Sequence, residues 1–358
     1  MTDVMHVISG LGTGGAERVL VQLAGALRTR GLSQHVVSLS ALDTLAVDLR
    51  ATGAELTILN ADTVASAPGA IAALARVVNR LRPRILQGWM YHGNIAATFA
   101  HYLCAGRRDR RLFWNLRASN MDAKRYGRII RLSAMLSHLP QAVIANSQAG
   151  VDFHREHGFR PKQFMVIDNG IDTEKFRPNA AARKRIRAEL GIPDAALVVI
   201  HVARVDPMKD HATFVAAMAQ APLLTGIMVG EGTQALAAPP NVHGIGGRRD
   251  TEALYAAADI VASTSAFGEG FSNVIAEGMS VGLVPVATDV GDARRIVGDA
   301  GSIVAPRDPQ AFAIALQEVA ALPYAERHRR GLVARERIGA NFTLEQTADA
   351  FARLYTAA

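Results

Sequence analysis

The feature that most constrains this chain is a repeated alternation of short apolar runs with segments of helical periodicity. The first run, Val4–Ser9, ends in glycines, and Glu17–Arg28 then repeats its apolar residues at helical spacing. The alternation continues, and the further predicted strands are His35–Ser40, Arg84–Gly88, Leu112–Leu116 and Ala142–Asn146. Apolar runs separated by helices are typical of a parallel sheet that is covered on both faces.

A second series of the same kind begins after Pro193, with a helix at Thr213–Met218. Its predicted strands are Leu197–Ala203, Gly226–Val229, Val242–Ile245, Ile260–Thr264, Val284–Ala287 and Ser302–Val304. Between the two series, Asp168–Pro178 contains Asn-Gly and a proline, as linker turns often do. A chain of 358 residues, 49% of them apolar, is long enough to bury two cores.

The sequence therefore predicts an α/β protein with two doubly wound, Rossmann-like domains. Residues 1–170 form the first domain and residues 171–340 the second, and a last helix at about residues 341–358 crosses back onto the first. The carboxyl ends of both sheets are expected to face a cleft between the domains. Sheets of this kind bind ligands at that edge.

The second half carries the most informative stretch, FGEGFSNVIAEG at Phe267–Gly278. It follows a predicted strand and opens a helix near Asn273, with Ser272 as a plausible N-cap. Amides at a helix N-terminus bind phosphate, and Gly268 and Gly270 let a ligand approach the backbone closely. Glu269 precedes this helix and Glu277 lies one turn inside it, so both can reach one ligand.

A second motif, VARVDPMKD at Val202–Asp210, follows the strand Leu197–Ala203. Arg204 and Lys209 are cations at the carboxyl end of that strand, where they can grip a diphosphate. A departing nucleotide diphosphate gains negative charge in the transition state, and cations there would stabilise it without a metal.

These motifs, in this order and spacing, resemble the retaining GT-B glycosyltransferases of the group 1 family, also called family 4. Glu269 and Glu277, separated by seven residues, match its signature, and GTGGAERVL and DNGIDTEKFRP are also similar to that family. The resemblance covers nearly the whole chain.

The resemblance implies roles for the matched positions. Arg204 and Lys209 would bind the donor diphosphate, Glu269 the donor sugar and Glu277 the ribose. Gly246 matches the place where family members hold the base. The other implied donor-binding positions are Gly14, Gly15, Gly270, Phe271, Ser272, Asn273 and Val274.

The first half offers a glycine loop, GLGTGG at Gly10–Gly15, whose amides can face an anion. In the resembling family, Gly14 and Gly15 lie beside the donor phosphate. The alternative is a dinucleotide-binding fingerprint of an oxidoreductase, which needs an acidic residue at the end of the second strand. Asp43 comes too late for that, and the second-half motifs would remain unexplained.

Further candidates follow the next strands of the first half. Trp89, Tyr91 and His92 come after the strand ending at Gly88, so they are expected at the cleft, where aromatic rings can stack on sugars. Many family members have a histidine after the strand Leu112–Leu116, but Arg117 stands there. It could hold a phosphate instead. The candidate catalytic residues are Glu269, Arg204, Lys209, Arg117 and His92.

No Asp-X-Asp occurs in the sequence, so we expect no metal and no cofactor beyond the nucleotide-sugar co-substrate. His154 and His157 are three residues apart on a predicted helix, and without a third ligand they are interpreted as surface residues rather than a metal site.

Charge is distributed unevenly along the chain. Residues 1–170 carry a net charge of +9 and residues 171–358 a net charge of −2. The arginine-rich clusters are Arg76–Arg84, Arg107–Arg111 and Lys124–Arg131. They either form a solvated surface or meet an anionic partner, for which a phosphorylated acceptor or a membrane fits better than nucleic acid.

The predicted function is retaining transfer of a hexose or N-acetylhexosamine to a glycan or lipid-linked acceptor in bacterial polysaccharide or lipopolysaccharide biosynthesis. A UDP-sugar is the first expectation for the donor, and GDP-mannose the second. A non-catalytic GT-B-like binding subunit is the other alternative. One cysteine, no signal-like start and no long apolar run predict a cytoplasmic protein, which could attach to the inner face of the membrane.

Overall fold

The structure is a computed structural model that describes residues 2–12, 14–63, 66–119 and 123–357, without the side chains of residues 123–125. The chain divides into two compact units. The first consists of Met1–Gly170 and Leu344–Ala358, and the second of Ile171–Thr343.

The described part of the first unit contains a seven-stranded parallel sheet with the order β3-β2-β1-β4-β5-β6-β7. Its strands are β1 Val4–Ile8, β2 Gln34–Ser38, β3 Glu55–Ile58, β4 Ile85–Trp89, β5 Arg111–Leu116, β6 Ala142–Ala145 and β7 Phe164–Val166. Its helices are α1 Gly15–Arg28, α2 Ala46–Ala51, α3 Ala67–Leu81, α4 Met90–Leu103, α5 Ala123–Leu136 and α6 Gln148–Glu156. Every residue of the central strands β1 and β4 is buried, because helices cover both faces of the sheet.

The described part of the second unit contains a six-stranded parallel sheet with the order β10-β9-β8-β11-β12-β13. Its strands are β8 Leu197–Val202, β9 Leu224–Val229, β10 Val242–Gly244, β11 Ile260–Ser263, β12 Val284–Thr288 and β13 Ser302–Val304. Its helices are α7 Ala180–Glu189, α8 His211–Ala219, α9 Thr251–Ala257, α10 Asn273–Val281, α11 Ala293–Val297, α12 Pro309–Ala321 and α13 Tyr324–Asn341. Two apolar cores, one on each face, stabilise this sheet.

The last helix, α14 Leu344–Thr356, packs on the first unit beside α1. Its Phe351 and Tyr355 are buried in the core that contains β1. The Tyr355 hydroxyl donates to Oε1 of Gln87 at 2.5 Å, and Arg30 forms an ion pair with Asp349 at 2.7 Å. The chain therefore leaves the first unit at residue 170 and returns to it at residue 344.

The fold class predicted from the sequence is confirmed, and the sequence missed two strands. The missed strands, β3 and β7, have four and three residues, and their side chains are mostly half-buried or exposed. Each lies at an edge of the first sheet, so neither has the continuous apolar run of a central strand.

Some residues interpreted as surface groups are internal. His154 is fully buried; its Nδ1 donates to the Gly150 carbonyl at 2.6 Å, and its Nε2 accepts from the Tyr91 hydroxyl at 2.9 Å. The prediction that it lies on the surface is wrong. Arg110 is buried against His101, and Arg111 donates to the carbonyls of Leu354 and Ala357 at the end of α14.

In the part of the chain that the structure describes, none of the helices combines the length and the apolar composition needed to cross a bilayer.

Candidate active site

The candidate site of the second unit lies at the point where its strand order reverses. From β8, the chain builds β9 and β10 on one side of the sheet, and β11, β12 and β13 on the other. The strands β8 and β11 are neighbours, but the chain continues from them to opposite sides of the sheet. The loops that follow β8 and β11 therefore separate, and a crevice remains at the carboxyl ends of these two strands. The first loop carries Arg204 and Lys209, and the second carries Glu269.

These two loops are fastened to each other by backbone and side-chain contacts. The amide of Ala266 donates to the carbonyl of Met208 at 2.8 Å. The hydroxyl of Thr264 donates to the carbonyl of Lys209 at 3.0 Å. Gly268 has a φ of +83°, and a Cβ there would lie 2.2 Å from Sδ of Met208. Only glycine fits both this backbone conformation and this close approach.

Lys209 and Glu269 form an ion pair in the crevice. Nζ of Lys209 donates to Oε1 of Glu269, and the Ser265 hydroxyl donates to the same oxygen at 2.8 Å. The two side chains are only 20% and 13% exposed, so the pair is partly shielded from water. Partial burial strengthens the attraction between the charges compared with a surface pair.

Arg204 is held differently from Lys209. Its side chain is 56% exposed, and its guanidinium contacts Asp206 at 3.2 Å within the same loop. An exposed pair of this kind contributes little stability, so the guanidinium can rearrange toward an incoming anion. The loop thus presents one exposed cation, Arg204, and one partly buried cation, Lys209, in an ion pair.

A third loop, after β12, supports the backbone of Glu269 and Gly270. Gly291 has a φ of +62°, and a Cβ there would lie 2.5 Å from both of their carbonyl oxygens. The amide of Asp292 donates to the Gly270 carbonyl at 3.0 Å. The position of Glu269 therefore depends on Gly291 and Asp292, to which the sequence analysis assigned no role.

The helix that follows, α10, begins as predicted with Ser272 at its N-cap. Within the described residues, the Ser272 side chain makes no capping bond, so it does not occupy the amides of the first turn. Phe271 is buried and packs edge-to-face against Phe342, which leaves only its backbone for a ligand. Asn273 and Val274 are half-buried at the start of the helix.

Glu277 lies in the second turn of α10 and accepts a hydrogen bond at 3.0 Å from the hydroxyl of Tyr255. Tyr255 is fully buried, so this bond fixes one carboxylate oxygen against the core. Glu277 itself is half-buried, and its carboxylate retains acceptor capacity for a ligand hydroxyl.

Gly246, the position implied to hold the base, lies beyond β10 with a φ of +72°. Its amide donates to the Thr233 hydroxyl at 3.0 Å, and its carbonyl accepts from the amide of Gly230 at 2.8 Å. Because the amide is already used, Gly246 can contact a base only through the remaining lone pair of its carbonyl or through its neighbours.

Two buried histidines lie behind Lys209, and the sequence motifs did not indicate them. Nε2 of His201 lies 3.1 Å from the Thr264 hydroxyl, and the His201 and His211 rings meet edge to face with centroids 4.8 Å apart. Burial, and after it the electrostatic influence of the neighbouring His211 and Lys209, lowers the pKa of His201 well below its usual value. His201 is therefore neutral and can support the Thr264 hydroxyl. The only sequence signal for His201 was its place in the buried strand β8.

The first unit also has a reversal of strand order, with β1 between β2 and β4. The glycine loop follows β1; Gly14 is the N-cap of α1, and Gly15 is its first residue. A Cβ at Gly14 would lie 2.4 Å from Oε2 of Glu17, and one at Gly15 would meet nothing within 4 Å. The loop therefore leaves open space at Gly15.

The prediction that Trp89 and Tyr91 lie at a ligand-binding edge is wrong. Both are buried, with Trp89 bonded to His6 and Tyr91 to His154. The strand β4 passes into α4 without a loop, through Met90 at a φ of +58°, so the rings turn into the two cores. His92 alone is exposed, and partial desolvation lowers its pKa.

Arg117 is bound inside the first unit. Its guanidinium donates to Oδ1 of Asn115 at 2.8 Å and of Asn169 at 2.6 Å, and it lies 5.3 and 5.5 Å from the ring centroids of Trp89 and Phe351. Burial lowers the pKa of Arg117 to about 10. These contacts join β5 to α14, and they leave the guanidinium less available to a phosphate than the sequence suggested.

Among the described residues, no group of three or more His, Cys, Asp or Glu side chains is arranged to hold a metal ion.

Two family models match the chain. Residues 13–175 match the Glycosyltransferase Family 4 model, and residues 196–321 match the Glycosyl transferases group 1 model. The matches fall on successive parts of the chain and together cover most of it. The protein therefore belongs to the group 1 glycosyltransferases of the GT-B type.

Curated relatives carry a consistent name. The chain is 27% identical over 240 residues to D-inositol 3-phosphate glycosyltransferase 2 of Catenulispora acidiphila, covering 59% of this chain and 56% of that protein. It is 31% identical over 237 residues to D-inositol 3-phosphate glycosyltransferase of Geodermatophilus obscurus, covering 56% and 49%. The chain thus spans about half the length of the curated relatives it matches.

Solved structures share the fold over the whole chain. Anabaena HepE in complex with UDP-glucose superposes with a TM-score of 0.87 at 22% identity, covering 100% of both chains. Sucrose-phosphate synthase from Thermosynechococcus elongatus superposes with a TM-score of 0.84 at 20% identity, covering 99% of this chain and 98% of the other. At these identities, the likeness concerns the fold alone.

Proposed function

We propose that this protein is a retaining, metal-independent glycosyltransferase that moves a hexose or N-acetylhexosamine from a nucleotide-diphosphate sugar to a glycan or lipid-linked acceptor. The observation that carries the proposal is the ion pair of Lys209 and Glu269 beside Arg204, at the strand-order reversal of the second unit. The second unit binds the donor, and the first unit binds the acceptor.

The donor diphosphate is held by cations and backbone amides. Its charge draws Lys209 away from Glu269, while Arg204 leaves Asp206 and the first turn of α10 supplies amides. As the bond between the anomeric carbon and the diphosphate breaks, negative charge grows on the leaving oxygen, and Lys209 and Arg204 stabilise it. These residues do the work that a divalent cation does in other transferases.

Release of Glu269 from Lys209 frees its carboxylate to accept hydroxyls of the donor sugar. Retention needs no protein nucleophile in this mechanism, because the leaving diphosphate accepts the proton of the acceptor hydroxyl on the same face of the sugar. Glu277 orients the ribose, since its carboxylate is fixed from behind by Tyr255.

We propose a UDP-sugar as the donor, because HepE was crystallised with UDP-glucose and with UDP. GDP-mannose is the alternative donor. For the acceptor, the names of the curated relatives support a small phosphorylated polyol as an alternative to a glycan or lipid-linked sugar. A phosphorylated acceptor also suits the positive charge of residues 1–170.

The test begins with nucleotide sugars screened for thermal stabilisation, since a bound donor raises stability by mass action. The best donor is then mixed with candidate acceptors, and release of nucleotide diphosphate is measured with and without excess EDTA. We expect release to persist in EDTA, and NMR of the product to show a retained anomeric configuration.

Donor binding without release of nucleotide diphosphate for any acceptor would favour a non-catalytic GT-B-like subunit. Loss in EDTA that magnesium or manganese restores would contradict metal independence.

A further inference from the structure

We propose that His201 and His211, two buried histidines of the second unit, are positioning residues for the cations that bind the donor diphosphate. They flank residues 203–210, the segment between β8 and α8 that carries Arg204 and Lys209, which we call the cation loop. This role rests on the proposed function, because it requires that the donor diphosphate binds at the cation loop.

The two imidazole rings meet across the ends of the cation loop. His201 lies near the end of β8, and His211 is the first residue of α8. The two residues are 2% and 6% exposed, and their ring centroids lie 4.8 Å apart with the ring planes at 74°. The buried ring of Phe214 stacks on His201 with centroids 4.9 Å apart. The start and the end of the loop are therefore joined by packed rings.

His211 supports the backbone at the start of the cation loop. Its Nε2 lies 3.2 Å from the carbonyl oxygen of Ala203, so this nitrogen carries the proton and donates it. The Ala203 carbonyl belongs to the peptide group that leads into Arg204. A Cβ at Gly230 would lie 2.0 Å from the same oxygen, so the backbone after β9 packs directly against this peptide group. His211 and Gly230 together fix the backbone that carries Arg204.

His201 supports the end of the cation loop through Thr264. The Thr264 hydroxyl shares its single proton between the carbonyls of Lys209 and Asp210, at 3.0 and 3.1 Å. Nε2 of His201 lies 3.1 Å from the same hydroxyl, so this nitrogen donates to it. Asp210 has a φ of +46°, which is uncommon for a residue with a side chain. The backbone on either side of the Lys209 carbonyl therefore depends on these contacts.

Both histidines supply a hydrogen-bond donor without adding a charge beside Lys209. Burial lowers the pKa of both rings, so both are neutral. Nδ1 of each ring is buried and has no hydrogen-bond partner within the part of the chain that the structure describes. A phenylalanine could fill the same space but could not donate, and the charge of a lysine or arginine would repel Lys209. Neutral imidazole meets both requirements.

The contacts predict which part of the donor each histidine affects. His201 acts on Lys209, and His211 acts on Arg204. Loss of either hydrogen-bond donor should therefore weaken binding of the diphosphate. Binding of the nucleoside should remain, because it is assigned to other elements of the second unit.

The experiment compares UDP, which carries the diphosphate, with uridine, which does not. Calorimetry measures the affinity for UDP, and ligand-observed NMR measures the affinity for uridine. His201→Phe and His211→Phe keep a ring and remove the donor, whereas His201→Gln and His211→Gln keep a donor near the position of Nε2. The matched control is His154→Phe, which removes a buried histidine with two hydrogen bonds from the first unit. If the wild type binds GDP instead of UDP, GDP and guanosine replace these ligands.

We expect each phenylalanine variant of the second unit to bind UDP about tenfold more weakly, with its uridine affinity within about twofold of the wild type. The glutamine variants should recover most of the UDP affinity, and the His154→Phe control should keep both affinities. Adding His201→Phe to Lys209→Met should weaken UDP binding little further, because both changes remove the same contact. His211→Phe and Arg204→Met should be coupled in the same way.

Three results would overturn the positioning role: unchanged UDP affinity in both phenylalanine variants, equal losses of affinity for UDP and uridine, or additive losses from His201→Phe and Lys209→Met. If a phenylalanine variant does not fold, His201→Asn or His211→Asn replaces it, since an asparagine amide reaches only the position of Nδ1. UDP binding by the wild type in any of these cases would leave the proposed function intact. A wild type that binds neither UDP nor GDP would refute the proposed function, and this role with it.

Discussion

Lys209 and Glu269, which come from loops 60 residues apart, form an ion pair at the strand-order reversal of the second unit. Each partner neutralises the other, and the Ser265 hydroxyl supports the carboxylate. A diphosphate that binds Lys209 must compete with Glu269. The arrival of the donor therefore exchanges one anion for another on the same ammonium group and releases the carboxylate.

Substitution of Glu269 should separate turnover from nucleotide affinity. In Glu269→Gln, Lys209 loses its competing anion, so the affinity for nucleotide diphosphate should stay within a few fold of the wild type or become tighter. Turnover should fall by a factor on the order of 10²–10³, the loss typical of removing one stabilising group from a transition state. Calorimetric titration of UDP and initial rates measure the two effects. A large loss of UDP affinity with normal turnover would contradict the assignment.

Glu277 should show the opposite behaviour. Its carboxylate is fixed by Tyr255 and is assigned to the ribose, so Glu277→Ala should weaken UDP binding by about tenfold or more. Tyr255→Phe keeps the carboxylate and removes only its support, so it should lose less affinity. Calorimetric titration of UDP into the wild type and both variants measures these differences in affinity. If Glu277→Ala bound UDP like the wild type, the ribose assignment would fail.

Thr264 should act as a positioning residue for Lys209. In Thr264→Val, the Lys209 carbonyl and the buried His201 lose the hydroxyl that joins them, which should cost about 1–3 kcal/mol of stability. The KM for the donor should rise and turnover should fall. Thr264→Ser restores the hydroxyl, so it should recover most of the stability and most of the kinetic effect on KM and turnover. Recovery of stability without recovery of KM would show that the role is structural only.

The sequence predicted the central strands of both sheets because each is a buried apolar run with a helix after it. β3 and β7 could not be predicted in the same way, since an edge strand of three or four residues has no such run. The motif residues Lys209 and Glu269 were found together because their order along the chain is informative. Their ion pair was not expected.

Tertiary contacts explain what the sequence could not indicate. Gly291 and Met208 shape the loop of Glu269 only because distant segments meet there, and the sequence analysis assigned a role to neither residue. Trp89 and Tyr91 were assigned to a ligand-binding edge because they follow a strand. The direct passage of β4 into α4 buries them instead, and only the backbone conformation at Met90 reveals this.

Buried histidines should make the first unit sensitive to acid. Burial lowers the pKa of His154 to about 4, and its ordinary value is 6.5. Between these values, the unfolded chain binds a proton that the folded one does not. Stability is therefore lost as the pH falls from about 6.5 toward 4, by roughly 1.4 kcal/mol per pH unit for this group.

Tryptophan fluorescence during urea unfolding measures this effect, because Trp89 and Trp114 are the two tryptophans and both lie in the first unit. His154→Gln can keep both hydrogen bonds and has no proton to gain, so its stability should fall less steeply with pH. His138→Gln, at an exposed position, should behave like the wild type. Equal pH slopes in all three proteins would contradict the buried, neutral state of His154.

The central claim is that the donor diphosphate binds at Lys209 in the second unit. Calorimetric titration of UDP into the wild type, Lys209→Met and Lys184→Met tests it most directly, since Lys184 is an exposed lysine on α7 of the same unit. Loss of a charge-assisted contact should weaken binding by a factor on the order of 10–100 in Lys209→Met. Lys184→Met should bind UDP like the wild type. Equal UDP affinity in the wild type and Lys209→Met would contradict the account.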